Sequence, residues 1–319
     1  MKVKLKTVDK VEILTLQDNR IDLVATDSND IVQRPVPLEG QEFRKSIRAE
    51  HGFSTLITIN HNGFQNQILF DFGFSEDGAA ANAEALNASL SQVELLVLSH
   101  GHLDHLGGLV QLVEAIGNKE LDMVVHPGVF VASRYRKITE AFRVYVPALS
   151  RKTIDDVGVN LIETTEPLSL LNGIGVFLGQ IPRVTSFEQG APDMYFEVDG
   201  VERRDPFDDD SAIAFHVKNK GLVVISGCAH SGIVNTIKYA QQVTGIQEVF
   251  AVMGGFHLSG ADFDSVISPT TDGLKEIDPR YIIPTHCSGR EAVQHIETEM
   301  PHAFLLNMSG TRMTFDSKQ

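Results

Sequence analysis

The chain has 319 residues, 42% of them hydrophobic and 22% charged, a composition that supports one large folded domain or two small ones, with a sizeable core. Lys and Arg total 27 against 42 Asp and Glu, a formal net charge of −15. That balance repels a phosphodiester polymer, so no nucleic-acid partner is expected.

The N-terminal stretch MKVKLKTVDKVEILTLQ alternates basic and apolar residues and reads as a strand, without the continuous apolar segment of a signal peptide. No apolar run approaches the roughly 18 residues of a membrane span. The expected location is the cytoplasm, with no membrane partner. Two hairpins are expected to open the protein, and the second, STLITINHNGFQNQILFDFG, turns at Asn62-Gly63, a pair suited to positive φ. A helix over residues 79–90, the apolar strand ELLVLS, the helix LVQLVEAIG ending at Gly117 and the strand MVVHP follow. Residues from about 127 to 210 are rich in turn formers and read as an irregular, lid-like insertion. Beyond it, AIAFHVKNKGLVVISG reads as a hairpin, GIVNTIKYAQQVTG as a helix, EVFAVMGG and YIIPTH as strands and SGREAVQHIETEM as a helix.

The halves on either side of the insertion overlay. The interval from Asp71 to His100 equals that from Cys228 to His257, and each spans a strand end, a helix and a second buried strand. This pseudo-repeat predicts an α+β fold: an αββα sandwich of two face-packed sheets with outer helices, one domain over residues 1–319 carrying the insertion. Ligands of such sheets bind beyond the carboxyl ends of the strands, where both halves place histidines.

The most informative segment is SHGHLDHLGG. His100 and His102 are two apart on an extended stretch, while Asp104 and His105 begin the next turn and can face back toward them. Four ligand-type groups converging there suit one or two divalent cations. Without metal, burying them together leaves polar groups short of partners. His51, His61, His126, His216, His295 and His302 are isolated and read as ordinary histidines. Cys228 and Cys287 each lie near a histidine (GCAH, THC) and read as free or metal-linked thiols rather than a disulfide.

Other groups are candidates for substrate. Arg134, Arg136, Lys137, Arg143, Arg151 and Lys152 cluster in sequence with Tyr135 and Tyr145 between them. They read either as a solvated face or as a lid whose cations, Arg134, Arg136 and Lys137 first, hold an anionic group. DPFDDD, residues 205–210, reads as an exposed turn that could lend the site a carboxylate. Ser231 opens a helix whose free N–H groups either receive an anion or are simply capped, and Ser288 repeats the arrangement before the last helix.

HGHLDHLGG resembles the His-x-His-x-Asp-His signature of the metallo-β-lactamase fold superfamily, and the pseudo-repeat resembles its αββα sandwich. EHGFSTLI, GQIPRVTSFEQG, DDDSAIAFHVKNKGLVVISGCAHSGIVNTI, MGGFHLSG and PTHCSG narrow the resemblance to the subfamily typified by an archaeal pterin-ribofuranosylaminobenzene phosphate synthase. It implies His100 and His102 on one metal, Asp104 and His105 on a second with His286 joining them, and Asp71 as a buried carboxylate behind the ligands. The chain departs from the pattern twice. The usual third-motif histidine is missing, and the bridging aspartate is replaced around Cys228-Ala229-His230. His230 and His257 are the nearest substitutes, His230 as ligand and His257 as a catalytic group beside Asp104, while Cys228 either backs the ligands or is one itself.

The expected activity is a metal-dependent hydrolase or transferase acting on a phosphate- or diphosphate-bearing small molecule. Imidazole favours zinc, with manganese, iron and magnesium open. A lactone, thioester or ester hydrolase is the alternative, for which a basic lid is unnecessary. A metal-binding sensor without turnover is a reading of another class, suggested by the two departures. Nothing in the sequence indicates the oligomeric state.

Overall fold

The structure, a computed structural model, describes residues 2–43, 45–117, 120–131 and 134–319. The first large sheet grows around the hairpin Ser54–His61 and Phe64–Phe70, which turns at Asn62 and Gly63 with φ of 50° and 82°. Two successive positive-φ residues match the right-handed twist of the flanking strands, as the Asn-Gly pair predicts. Lys10–Gln17 pairs antiparallel with Ser54–His61 on one side and Arg312–Asp316 on the other. The strand expected to begin a first hairpin thus joins the two ends of the chain instead.

From Phe64–Phe70 the chain steps in parallel to Val93–Val97, Asp122–Val125 and Asn160–Glu163. Parallel neighbours require crossovers, and the helices Gly78–Ala85 and Leu109–Ile116 lie in the first two. The first is shorter than the expected 79–90 because Asn87 turns left-handed, with φ 51°. The second sheet repeats the plan. The hairpin Ala212–Val217 and Gly221–Ser226 leads in parallel to Val249–Gly255 and Tyr281–Thr285, with helices Ile233–Thr244 and Asp264–Ile277 in the crossovers and Arg290–Glu299 after them. Asp264–Ile277 escapes the sequence pattern because Pro269 and Gly273, both poor helix formers, lie inside it. Gly273 has a packing reason: a Cβ there would come within 2.9 Å of Val234 on the neighbouring helix.

Side-chain alternation then sorts the core into layers. Ile57, Ile68, Phe70 and Val97 meet Ile213, Phe215, Ile225 and Met253 between the sheets. On the outer faces Leu69, Leu96 and Met123 pack on Leu109, Leu112 and Ile116, and Val224, Val252 and Ile282 on Ile233, Ile237 and Leu274. Each such side chain contributes roughly 1.5–3 kcal/mol when fully buried, so strands apolar on both faces specify the αββα order of layers. No helix among the described residues is long and apolar enough to cross a membrane.

The stretch between the halves is not irregular. Tyr135–Thr139, Phe142–Tyr145, Met194–Val198 and Val201–Arg204 form a third, four-stranded antiparallel sheet. Asn160–Glu163 extends the first large sheet, and Leu168–Leu170 with Gly175–Phe177 extends the second. The turn at 205–210 is not exposed either: Asp205, Phe207, Asp209 and Asp210 are buried. Arg134 makes that burial tolerable by gripping Asp209 with two hydrogen bonds, of 2.5 and 2.9 Å, while its Nε lies 2.9 Å from Asp205.

Candidate metal centre

The strand ends of both large sheets converge on one place. Asp71 follows Phe64–Phe70, the segment from Ser99 to His105 follows Val93–Val97, Cys228 and His230 follow Gly221–Ser226, His257 follows Val249–Gly255 and His286 follows Tyr281–Thr285. The exits are sharp. Asp71, Ala229, His257 and His286 take φ of 58°, 54°, 44° and 48°, a conformation costing about 1–3 kcal/mol that persists only where packing fixes it. Gly227 lets the two sheets approach, since a Cβ there would lie 2.0 Å from Ser99 Oγ and 3.0 Å from Asp71 Oδ2.

Five imidazoles, one carboxylate and one thiol share this space. Ring centroids are 4.6 Å apart for His100 and His102, 4.3 Å for His100 and His105, 4.8 Å for His102 and His230, and 4.9 Å for His105 and His286. Ligand atoms of Asp104, His105, Cys228 and His286 lie within 4.8 Å of one another, as do those of His100, Cys228 and His230. Cys228 therefore stands in both groups. His230 Nε2 is 3.2 Å from His102 Nδ1, and His105 Nε2 is 3.2 Å from His286 Nε2 and 3.1 Å from Cys228 Sγ. Cys228, His257 and Cys287 form a third group alongside.

Buried carboxylates behind the cluster orient it. Asp71 accepts the Ser99 N–H and Oγ–H at 2.7 Å each, and the His105 Nδ1–H at 2.6 Å. An ionised carboxylate only accepts, so His105 keeps a proton on Nδ1 and directs Nε2 at the cluster. Asp209 accepts the Gly101 N–H at 2.9 Å, and Asp210 accepts those of His230 and Ser231 at 2.9 and 2.8 Å. The buried turn of the insertion thus holds both ligand-bearing loops, and Arg134 anchors the turn.

Burial pushes His100 and His230 well below the usual imidazole range and His102 down to about 4, leaving neutral rings with free lone pairs. Burial acts on His105 too, but the carboxylates of Asp71 and Asp104 outweigh it and lift this ring to about 9. Asp104, although largely buried, is held well below the carboxylate range by the His105 and His286 rings. The pocket therefore presents neutral imidazole lone pairs beside an ionised carboxylate. Its donors fit a metal: His100 Nε2, His102 Nε2, His230 Nδ1 and His257 Nδ1 are buried without a hydrogen-bonding partner, which costs about 1–3 kcal/mol for each group left so. Nitrogen, oxygen and sulfur donors in this arrangement suit one or two divalent ions.

A cavity of about 1250 Å³ opens over the cluster, with His102, Asp104, His230, His257 and His286 lining it. Arg136 and Tyr145 reach its wall from the small sheet, Arg136 in an ion pair with Asp193. The other candidates for an anion lie elsewhere. Arg134 is buried against Asp205 and Asp209, and Lys137 lies 3.0 Å from both Glu140 and Glu202. Ser231 is buried, its N–H on Asp210, and Glu188 accepts the next free N–H groups of that helix, those of Val234 and Asn235, at 2.9 Å each. The helix start, read from sequence as either an anion receiver or a plain cap, is filled by the protein's own carboxylates. Ser288 is also buried, its Oγ accepting the Phe256 N–H and donating to the Thr285 carbonyl. The wall instead carries Arg20, Arg290, Asn19 and His51, none singled out from sequence. Arg20 and Asn19 follow the end of Lys10–Gln17, so the strand-end rule applied to that first strand is the signal that finds them.

A model of the metallo-beta-lactamase superfamily matches residues 48–240, and the chain belongs to that superfamily, as its sandwich and histidine cluster require. Over 259 residues, 80% of this chain and 87% of the relative, it is 31% identical to the 7,8-dihydropterin-6-methyl-4-(beta-D-ribofuranosyl)-aminobenzene-5'-phosphate synthase of Methanocaldococcus jannaschii. Among solved structures it is similar to a metal-dependent hydrolase of the beta-lactamase superfamily, with TM-score 0.71, 22% identity and coverage of 96% of this chain and 99% of that one. A diphosphatase of the PhnP family aligns with TM-score 0.51 and 13% identity over 96% and 98% of the two chains. These two likenesses are likenesses of fold.

Proposed function

We propose that the protein is a metal-dependent hydrolase or transferase acting on a small molecule that bears a phosphate or diphosphate. The observation that carries this reading is a cation-ready donor cluster sharing one cavity with Arg20 and Arg290. Neither guanidinium has a carboxylate partner among the described residues, and the planar fork of arginine matches phosphate oxygens. Val144, Tyr145, Pro147 and Met194 add apolar wall for the rest of such a substrate. The similarity to a protein named as a 5'-phosphate synthase supports the same substrate class.

His100, His102 and His230 would hold one divalent ion and Asp104, His105 and His286 a second, with Cys228 between them in place of a bridging carboxylate. A cation there supplies Lewis-acid polarisation of the phosphoryl oxygens. The chain's own groups do the rest. Asp104 reaches the cavity with 17% of its side chain exposed, so it would either bind the cation or accept a proton from water there, two roles that compete. His257 lines the same cavity. Burial lowers this ring, but Cys287 and the carboxylates of Asp210 and Asp104 raise it above its ordinary range, so it can carry a proton toward a leaving oxygen.

Full activity after strict chelation, or in a variant combining His102→Ala and Asp104→Ala, would rule out metal-dependent chemistry at this cluster. Arg20→Glu and Arg290→Glu are expected to raise KM for phosphorylated substrates about tenfold or more. An unchanged KM favours a lactone, thioester or ester instead. Stoichiometric metal without turnover across a phosphate and ester panel favours a binding protein.

A further inference from the structure

On the cavity wall one amide touches two imidazoles. Asn19 Nδ2 lies 3.0 Å from the His286 carbonyl oxygen and 3.1 Å from His51 Nδ1, while Asn19 Oδ1 lies 3.1 Å from His286 Nδ1. A carbonyl can only accept, so the amide atom facing it must be the NH2 group, which fixes the orientation of Asn19. Both ring states then follow. The second Nδ2 hydrogen points at His51 Nδ1, which must be bare, so neutral His51 carries its hydrogen on Nε2. Asn19 Oδ1 can only accept, so His286 carries a hydrogen on Nδ1 and turns Nε2 toward the donor cluster.

Two rings 4.8 Å apart are thereby held in opposite tautomers. The Nε2 of His286 is 3.2 Å from Asp104 Oδ2 and 3.2 Å from His105 Nε2, inside the donor cluster. His51 is 63% exposed and lines the cavity. Its Nε2–H stands 3.5 Å from Asp104 Oδ2, too far for a hydrogen bond, so this donor is uncommitted at the mouth of the site. Asp18 steadies the arrangement: its Oδ1 accepts the N–H groups of Asn19 and His286 at 2.7 and 2.9 Å, and its Oδ2 accepts from Asn307 Nδ2 at 2.7 Å.

We propose that Asn19 is a positioning residue that sets His286 as a metal-binding base and His51 as a neutral hydrogen-bond donor to an oxygen of the anionic substrate. Only the substrate contact rests on the phosphate reading. The tautomers stand or fall alone.

Long-range proton–nitrogen spectra of the zinc-loaded full chain, labelled at histidine and assigned through His51→Gln, read both rings directly. His51 is expected as the Nε2–H form and His286 with a protonated Nδ1 and a metal-bound Nε2. In Asn19→Asp the new carboxylate can only accept, so the His51 hydrogen moves to Nδ1. Finding His51 as the Nδ1–H form in the wild type, or the same form in both proteins, overturns the assignment. Calorimetry with inorganic phosphate reads the contact. His51→Phe weakens binding about tenfold, while His51→Gln, which keeps a donor, stays within about threefold of wild type. Equal affinity of His51→Phe and wild type overturns the contact. If the wild type binds no phosphate, the phosphate reading falls and takes the contact with it, and the spectra still decide the tautomers.

Discussion

The two halves of the sandwich supply the same metal centre by different means. In the first half His100, His102, Asp104 and His105 leave one strand end and enter the short helix Leu103–Leu106, so a single loop presents four donors, backed by Asp71 at Ser99 and His105 and by Asp209 at Gly101. In the second half Cys228 and His230 leave one strand end and His257 and His286 leave two others, with left-handed backbone at Ala229, His257 and His286. Supports from distant parts of the chain hold them: Asp210 for His230, and Asp18 with Asn19 for His286. At equivalent points of the repeat, Asp71 backs the ligands while Cys228 stands among them. A contiguous motif needs little beyond its own backbone, whereas a dispersed set borrows its precision from the rest of the fold. Damage to the first half should therefore remove donors outright, and damage to the second should act largely through supports.

Combining His102→Ala with Asp104→Ala should cause the largest loss. Metal retained after dialysis, measured by elemental analysis, should fall by more than the roughly 10–100-fold typical of losing an outer partner. Retention close to wild type would mean that the second half binds metal unaided. Arg134→Ala comes next, because it leaves Asp205 and Asp209 buried without their cation. Urea unfolding should show a loss of about 3–5 kcal/mol, and a loss near zero would show that the turn does not depend on this arginine. Asp71→Asn and Asp210→Asn sharpen the contrast, since each should weaken metal binding about 10–100-fold through ligands in opposite halves. An effect confined to Asp71→Asn would break the parallel. Lys152→Ala, removing an exposed pair with Asp156, should change stability by no more than about 0.5 kcal/mol.

The same contrast explains what could be read from sequence. His100, His102, Asp104 and His105 were legible because their donors are contiguous and the flanking apolar strand fixes their direction. The two-sheet core was legible because Asn62-Gly63 and the alternating runs encode register locally. The small sheet was not, since its turn-rich segments pair over long separations: Arg143 finds Glu202 59 positions away, and Arg134 finds Asp209 75 positions away. A basic cluster read along the chain thus looked free to bind an anion, although most of its members are matched with carboxylates in space. Asn19 and His51 were hidden for a related reason, because Asn19 meets His286 across 267 positions. Ser231 looked like an anion receptor because neither Asp210 nor Glu188 adjoins it in sequence.

Divalent cations are expected where the two sets of donors meet. Anomalous diffraction at the zinc edge from crystals of the zinc-loaded protein measures this directly. Strong peaks are predicted within bonding distance of His100, His102 and His230 and of Asp104, His105 and His286, with Cys228 Sγ between them. Crystals showing no anomalous density there, with the imidazoles turned away from one another, would contradict it.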